Sequence, residues 1–433
     1  MAVDIKEMAE RARDASIKMA ALKTEVKNRA LAEIAGALED KKHDIIRANL
    51  EDVGRSEKEN LAPPLLKRLK FDEAKISDAV EGIKSLVALD DPVGKTLLST
   101  ELDDGLELYR VTCPIGVIGV IFESRPDALV QISSLCLKSG NGVLLKGGSE
   151  ARRTNRILAD IIAEAAVRAG VPAGWLSLLE TRTDVEEMLK MDEYIDLVIP
   201  RGSNEFVRHI MDNSRIPVLG HADGICHCYV DEDAEADMAL KIVVDSKTQY
   251  VAVCNALETL LVHRNIAGSW LPALKEALDK KGVTVIGCPE TCAVIPAEPA
   301  TEEDWMTEYL DYKLSVRVVG SLDEAVEHIN KYGSGHTDAI ITSSREKAAH
   351  FMELVDSGNV FWNCSTRFSD GFRYGFGAEV GISTGKIHAR GPVGLEGLVI
   401  YKYKLIGNGH IVDDYAKKLK TFKHRKTDRE FPC

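Results

Sequence analysis

The side chain best suited to bond-making chemistry is Cys254. It lies in Thr248-Gln249-Tyr250-Val251-Ala252-Val253-Cys254-Asn255-Ala256-Leu257-Glu258-Thr259-Leu260, just before a β-rich run ending at His263. The turn before a short strand is a usual place for function. A thiolate there can attack an acyl carbon while Asn255 and backbone N–H groups hold the oxyanion. The plainer alternative is a buried structural thiol, because cysteine is among the most buried residue types.

Two further stretches suit an anion. Lys146-Gly147-Gly148-Ser149 and Pro200-Arg201-Gly202-Ser203 each end a strand and open a helix. Glycine allows close backbone approach, and a helix N-terminus offers N–H donors to phosphate. Two such ends side by side would suit a dinucleotide, although the G-x-G-x-x-G fingerprint is absent. The alternative makes Ser149 and Ser203 ordinary N-caps. No metal is expected: strand alternation separates His227 from Cys226 and Cys228, and Cys288 and Cys292 lack a second pair.

These residues need a scaffold. The chain has 433 residues, enough for two or three domains, and 45% of them are hydrophobic. Its 55 basic and 68 acidic side chains give a net charge of −13, which disfavours nucleic acid and anionic membranes as main partners. The opening residues read as a helix rather than a signal peptide, and no apolar run reaches the roughly 18 residues of a membrane span. Nine irregularly spaced cysteines point to reduced thiols in a cytoplasmic setting.

Residues 1 to about 92 read as successive helices, with apolar steps such as Leu31, Ile34, Leu38. Residues 97–113 read as a hairpin turning at Asp104-Gly105. From Pro114, apolar strands alternate with helices, as in a parallel sheet covered on both faces, with ligands expected at the strands' carboxyl ends. The pattern repeats over 231–365. A glycine-rich tract runs to Gly394, and the run 398–406 is a strand able to pair with the hairpin. The tail from Lys417 is charged and expected to be loose.

Several motifs resemble the γ-glutamyl phosphate reductase family of the aldehyde dehydrogenase superfamily. They are Pro114–Pro126, Leu145–Ala151, Ile199–Ser203, Val253–Thr259, Tyr332–Asp338, Ser365–Gly371 and Gly377–Thr384, in family order over about residues 5–410. The fold implied is α/β and aldehyde-dehydrogenase-like. It has a Rossmann-type NADP-binding domain (1–96, 114–230 and 366–394), an α/β catalytic domain (231–365), a small β oligomerisation arm (97–113 and 395–410) and a C-terminal tail (411–433).

The activity implied is NADPH-dependent reduction of L-glutamyl 5-phosphate to glutamate 5-semialdehyde through a Cys254 thioester, the second step of proline synthesis. Asn255 and Arg125 would assist at the oxyanion or the leaving phosphate. Lys146, Gly148, Ser149, Gly202, Ser203 and Glu379 would face NADP(H), with Arg152 and Arg153 close enough in sequence to help. Arg367 would take the substrate carboxylate, supported by Asn363 and Ser365. Glu123 or Asp370 would face the ammonium group, and His336 would donate to phosphate. A homodimer or homotetramer is implied, and the labile acyl phosphate suggests a docked glutamate 5-kinase. Two rivals are a hydrolytic aldehyde dehydrogenase oxidising a free semialdehyde, and a non-enzymatic scaffold. Hydrolytic members keep a glutamate base in the stretch matching Leu219-Gly220-His221-Ala222-Asp223-Gly224, and here no carboxylate stands at the position aligned with it.

Overall fold

The computed structural model describes residues 4–123 and 125–432. Of four amphipathic helices, Ile5–Met19 packs on one face of the first sheet, while Thr24–Asp40, Lys42–Lys58 and Glu73–Ala88 pack on the helices Pro126–Lys138 and Arg152–Arg168 that cover the other. Small side chains allow the tightest approach. Ala9 and Ala12 are fully buried, and a Cβ on Gly142 would stand 3.0 Å from the Ala12 carbonyl. The first sheet is parallel, in the order Leu176–Leu179, Gly142–Lys146, Val117–Phe122, Leu197–Arg201. Every residue of Val117–Phe122 is buried, which is why the strand reads as a continuous apolar run.

The second sheet has seven parallel strands. Its centre is Lys313–Val319, Leu257–His263, Cys226–Val230 and Thr337–Ile341. Asn359–Trp362 forms one edge. The boundary expected at 230/231 is corrected by this topology. Cys226–Val230 pairs with Leu257–His263 and Thr337–Ile341, so the change of sheet falls before Cys226. An apolar strand signals burial, and nothing local in it signals which sheet takes it.

The hairpin forms as expected. Thr96–Asp103 pairs with Leu106–Pro114 around Gly105, whose φ of 72° needs a residue without Cβ. Val399–Ile406 pairs antiparallel with Leu106–Pro114 over eight residues. The tail is not loose. Arg425–Thr427 adds a fourth strand against Thr96–Asp103. Arg425 pairs with Glu101 at 2.5 Å, Arg429 pairs with Glu107, and Phe431 meets Tyr109 edge-on at 5.5 Å. Charge made this segment look solvated; here the charges face opposite charges on the hairpin. No helix among the described residues is long and apolar enough to cross a membrane.

Candidate active site

Cys254 sits, half-buried, in the turn between helix Ala236–Thr248 and strand Leu257–His263. Three hydrogen bonds fix this turn. Cys226 Sγ donates to the Cys254 carbonyl at 3.2 Å, Thr366 Oγ1 donates to the Asn255 carbonyl at 2.8 Å, and Asn255 Nδ2 donates to the Ser369 carbonyl at 2.7 Å. One Nδ2–H of Asn255 is thus committed to the neighbouring loop, which leaves the other and the backbone N–H for a role at an oxyanion. Gly224 packs directly on the turn: a Cβ there would lie 2.2 Å from the Cys254 carbonyl oxygen. Behind the turn, Lys247 and Glu258 form a fully buried ion pair at 2.7 Å. Burial pushes the Glu258 carboxyl up to about 7, with Lys247 pulling it back down.

Two imidazoles flank the thiol. His221 Nδ1 lies 2.9 Å from the Ile382 carbonyl, which can only accept, so this nitrogen carries the proton. His336, 1% exposed, bonds Thr337 Oγ1 through Nδ1 at 2.8 Å. Its Nε2 is buried with no partner among the described residues. The rings meet edge to face at 4.9 Å, and one nitrogen of each lies within 4.8 Å of the other and of Cys254 Sγ.

Two arginines place positive charge in this region. Arg367 is buried and donates from Nε to Gln249 Oε1 at 2.9 Å. Arg201 ends a strand of the first sheet, and its Nη1 is buried without a partner among the described residues. Burial holds both guanidiniums below the usual arginine range, and Cys254 is among the groups opposing that shift in each. Arg125 is different. Its side chain is half exposed and pairs with Asp127 at 3.4 Å. Arg201 lies close enough to feel both Arg125 and Cys254, so it joins Arg125 as a cation of this region.

The two sheets present opposite ends to this region. Arg201 and the Gly-Ser turns lie at carboxyl ends of the first sheet, whereas Gly224, Cys254 and His336 precede strands of the second. Asn204 spans the two, donating to Asp223 at 3.0 Å and to Glu308 at 2.6 Å. This arrangement corrects Asn363. It follows Asn359–Trp362, and its amide clamps the backbone of Thr342 through Oδ1 and Nδ2, both at 3.0 Å. That is the carboxyl end of the second sheet, about 13 Å from its amino end for strands of this length. Ser365 caps the turn Thr366–Phe368 and accepts from Ser246 at 3.1 Å, so it supports the Arg367 segment through the backbone.

The cofactor candidates gather on the first sheet. Lys146 Nζ donates to the Gly147 carbonyl at 2.7 Å, and burial lowers its proton affinity. Gly148 and Ser149 line a small cleft with Arg152, Asn155 and Glu180. Ser203 makes no side-chain cap bond to its helix, and the helix beginning at Arg152 follows an uncapped Ala151, so the simple N-cap reading fails at both turns. Arg152 pairs with Glu180 and Arg153 with Glu51. Glu123 is corrected: its carboxylate accepts the Ser203 N–H at 3.3 Å and crowds Gly202, on the cofactor candidates' side. Glu379 accepts the Gly371 N–H at 2.9 Å, and burial raises its pKa.

Comparison with known proteins agrees with this layout. Residues 1–311 match the model of the aldehyde dehydrogenase family. The chain is 75% identical, over 99% of its length and 100% of the relative's, to the γ-glutamyl phosphate reductase of Acetivibrio thermocellus. It is 76% identical to that of Pelotomaculum thermopropionicum, over 99% of both chains. The chain belongs to the γ-glutamyl phosphate reductase family. A crystal structure of the Thermotoga maritima γ-glutamyl phosphate reductase superposes with a TM-score of 0.92 at 41% identity, covering 94% of this chain and 99% of that one.

For a member of this reductase family, the residues that sequence reading passed over are informative. His221 was noticed only for not being a carboxylate. Arg201 was visible as a charge ending an apolar strand, a position that rarely carries arginine without a partner. Gly224 carried no local signal, since its reason for being glycine is a contact with a loop thirty residues on. Cys226 and Cys228 do part from His227, as strand alternation required. Cys226 reaches the Cys254 turn, Cys228 lies in the apolar core, and His227 bonds Asp338 at 3.2 Å.

Proposed function

We propose that this chain reduces L-glutamyl 5-phosphate to glutamate 5-semialdehyde with release of phosphate, the second step of proline synthesis from glutamate. The observation that carries the reading is Cys254: a half-buried thiol in a turn fixed by three hydrogen bonds, flanked by two imidazoles and close enough to Arg201, at a strand end of the first sheet, to act on its charge. Its thiolate attacks the acyl carbon, and the carbon–oxygen bond to phosphate breaks as the thioester forms. Arg201 and Arg367 lower the cost of the negative charge that collects on the acyl oxygen, the departing phosphate and the substrate carboxylate. His336, with an unpaired buried nitrogen, is placed to donate to phosphate.

NADPH, when bound, supplies the hydride that takes the thioester to the aldehyde level; Cys254 then leaves as thiolate. The residues present fit such a cofactor. Side chains at Gly147 or Gly202 would strike Asn155 or Phe206, at 2.1 and 2.8 Å, so the backbone stays bare at both turns. Ser149 puts a neutral group where a carboxylate would repel a 2′-phosphate, which favours NADPH over NADH. The open edge of Val399–Ile406 exposes Tyr401, Tyr403 and Leu405 and is the proposed contact of a homodimer or homotetramer. Eight described cysteines are free thiols, in keeping with a reducing, cytoplasmic setting, where a glutamate 5-kinase would hand over the labile acyl phosphate.

The test is the reverse reaction. Oxidation of glutamate semialdehyde by NADP+ should require phosphate or arsenate and should vanish in Cys254→Ser, with the circular dichroism spectrum unchanged. Phosphate-independent oxidation would favour a hydrolytic dehydrogenase, and a fully active Cys254→Ser would remove the thioester.

A further inference from the structure

The group formed by Cys254, His221 and His336 has a second use. One sulfur and two imidazole nitrogens lie within 4.8 Å of one another. Both rings are already oriented from behind, His221 by the Ile382 carbonyl at 2.9 Å and His336 by the Thr337 hydroxyl at 2.8 Å. Metal-bound histidines are usually held by such outer hydrogen bonds, which fix the tautomer and aim the lone pair. His336 Nε2 is buried without a partner among the described residues, so a cation there would satisfy an otherwise costly group.

We propose that these three residues bind a thiophilic divalent ion of the zinc class and that the bound ion switches the enzyme off. Two nitrogens and a sulfur without a carboxylate select zinc or cobalt over magnesium or calcium. Bonds of about 2.0–2.1 Å to nitrogen and 2.3 Å to sulfur place tetrahedral ligands about 3.5 Å apart. Closing the group from at most 4.8 Å to that spacing takes up to about 1.3 Å, shared between a rotation at half-buried Cys254 and a small movement of the half-buried His221 ring. Binding replaces the thiol proton with the metal and releases that proton, so the sulfur pair used for attack becomes a metal–sulfur bond. A fourth position stays open for water. The nearby guanidiniums Arg201 and Arg367 oppose a cation, which makes the site weak and reversible rather than permanently filled. Binding stands on the geometry alone; inhibition rests on Cys254 being the nucleophile.

The experiment is a cobalt titration of the chelator-treated full chain. One equivalent should give the near-ultraviolet thiolate-to-cobalt band and the visible bands of a tetrahedral site, competed away by Zn2+. The thiolate band should disappear in Cys254→Ser. Affinity should fall at least tenfold in His221→Asn and in His336→Asn, while Cys292→Ser titrates like the parent. Zn2+ should also slow alkylation of Cys254 by iodoacetamide, reversibly with EDTA. The proposal falls if the parent gives no such band, or if folded His221→Asn and His336→Asn bind cobalt as tightly as the parent. Tight binding with turnover untouched by Zn2+ would keep the site and overturn both the inhibition and the reading of Cys254 as nucleophile.

Discussion

Gly224→Ala is the sharpest perturbation the geometry offers. The added methyl would sit 2.2 Å from the Cys254 carbonyl oxygen and 2.6 Å from Cys254 Cβ, whereas ordinary contact begins near 3.4 Å. The nucleophile turn must therefore retreat by about an ångström. It cannot do so freely, because Cys226, Thr366 and Asn255 hold it by three hydrogen bonds. Misplacing a reacting atom by about 1 Å costs roughly a hundredfold in rate, or ~2.7 kcal/mol of barrier. The expected result is a kcat about a hundredfold lower in the forward assay, with KM for NADPH little changed and some loss of stability from overpacking. Gly268→Ala is the control. Gly268 lies in helix Arg264–Asp279, and nothing stands within 4 Å of its added methyl. That variant should keep its kcat and gain up to ~1 kcal/mol of stability. A folded Gly224→Ala enzyme within threefold of the parent kcat would refute the reasoning.

Further outcomes follow from other contacts. Lys247→Met leaves Glu258 buried without its counter-charge, and urea unfolding should show a loss of about 3–5 kcal/mol; a change below 1 kcal/mol would contradict the buried pair. Burial lowers the pKa of His328 from 6.5 to about 2, so the folded state holds this ring neutral. A depressed folded value means the stability is present above 6.5 and drains away as pH falls. Unfolding free energy should thus drop by up to ~1.4 kcal/mol per pH unit more in the parent than in His328→Gln between pH 6.5 and 5.5. Ser149→Glu should lower kcat/KM with NADPH at least tenfold while sparing NADH; equal losses with both would argue against a 2′-phosphate near Ser149. Tyr403→Lys combined with Leu405→Lys should shift the mass measured by light scattering toward the monomer.

Much of this molecule is legible in its sequence. The buried strand Val117–Phe122, the hairpin around Gly105 and the late strand at 399–406 each obey a local rule of period or turn. The Cys254 turn was legible because a thiol before a strand is a recognisable arrangement. The errors share one cause, which is that sequence does not state where an element's ends point. Asn363 looked usable beside Arg367, yet it closes a strand and lies a sheet's length from the thiol. Glu123 was assigned to an ammonium group because it is acidic and follows a strand, and it caps a helix start instead. His221 and His336 are 115 positions apart and meet only because two loops enter one gap. The tail shows the converse: Lys423, Arg425 and Arg429, read as solvated, face Asp104, Glu101 and Glu107 on the hairpin.

That tail bears on assembly. Arg425–Thr427 covers part of the Thr96–Asp103 side of the four-stranded arm and leaves the Val399–Ile406 side bare. A sheet open on both flanks could add copies head to tail without end. The three residues Arg425–Thr427 replace most of the Thr96–Asp103 edge with a short, charged one, which blunts it for pairing, whereas the eight-residue edge of Val399–Ile406 stays long and bare. Copies that met through that long edge alone would pair like with like across a two-fold axis. Truncation before Arg425 should then leave a second edge bare, and light scattering should show mass rising with concentration.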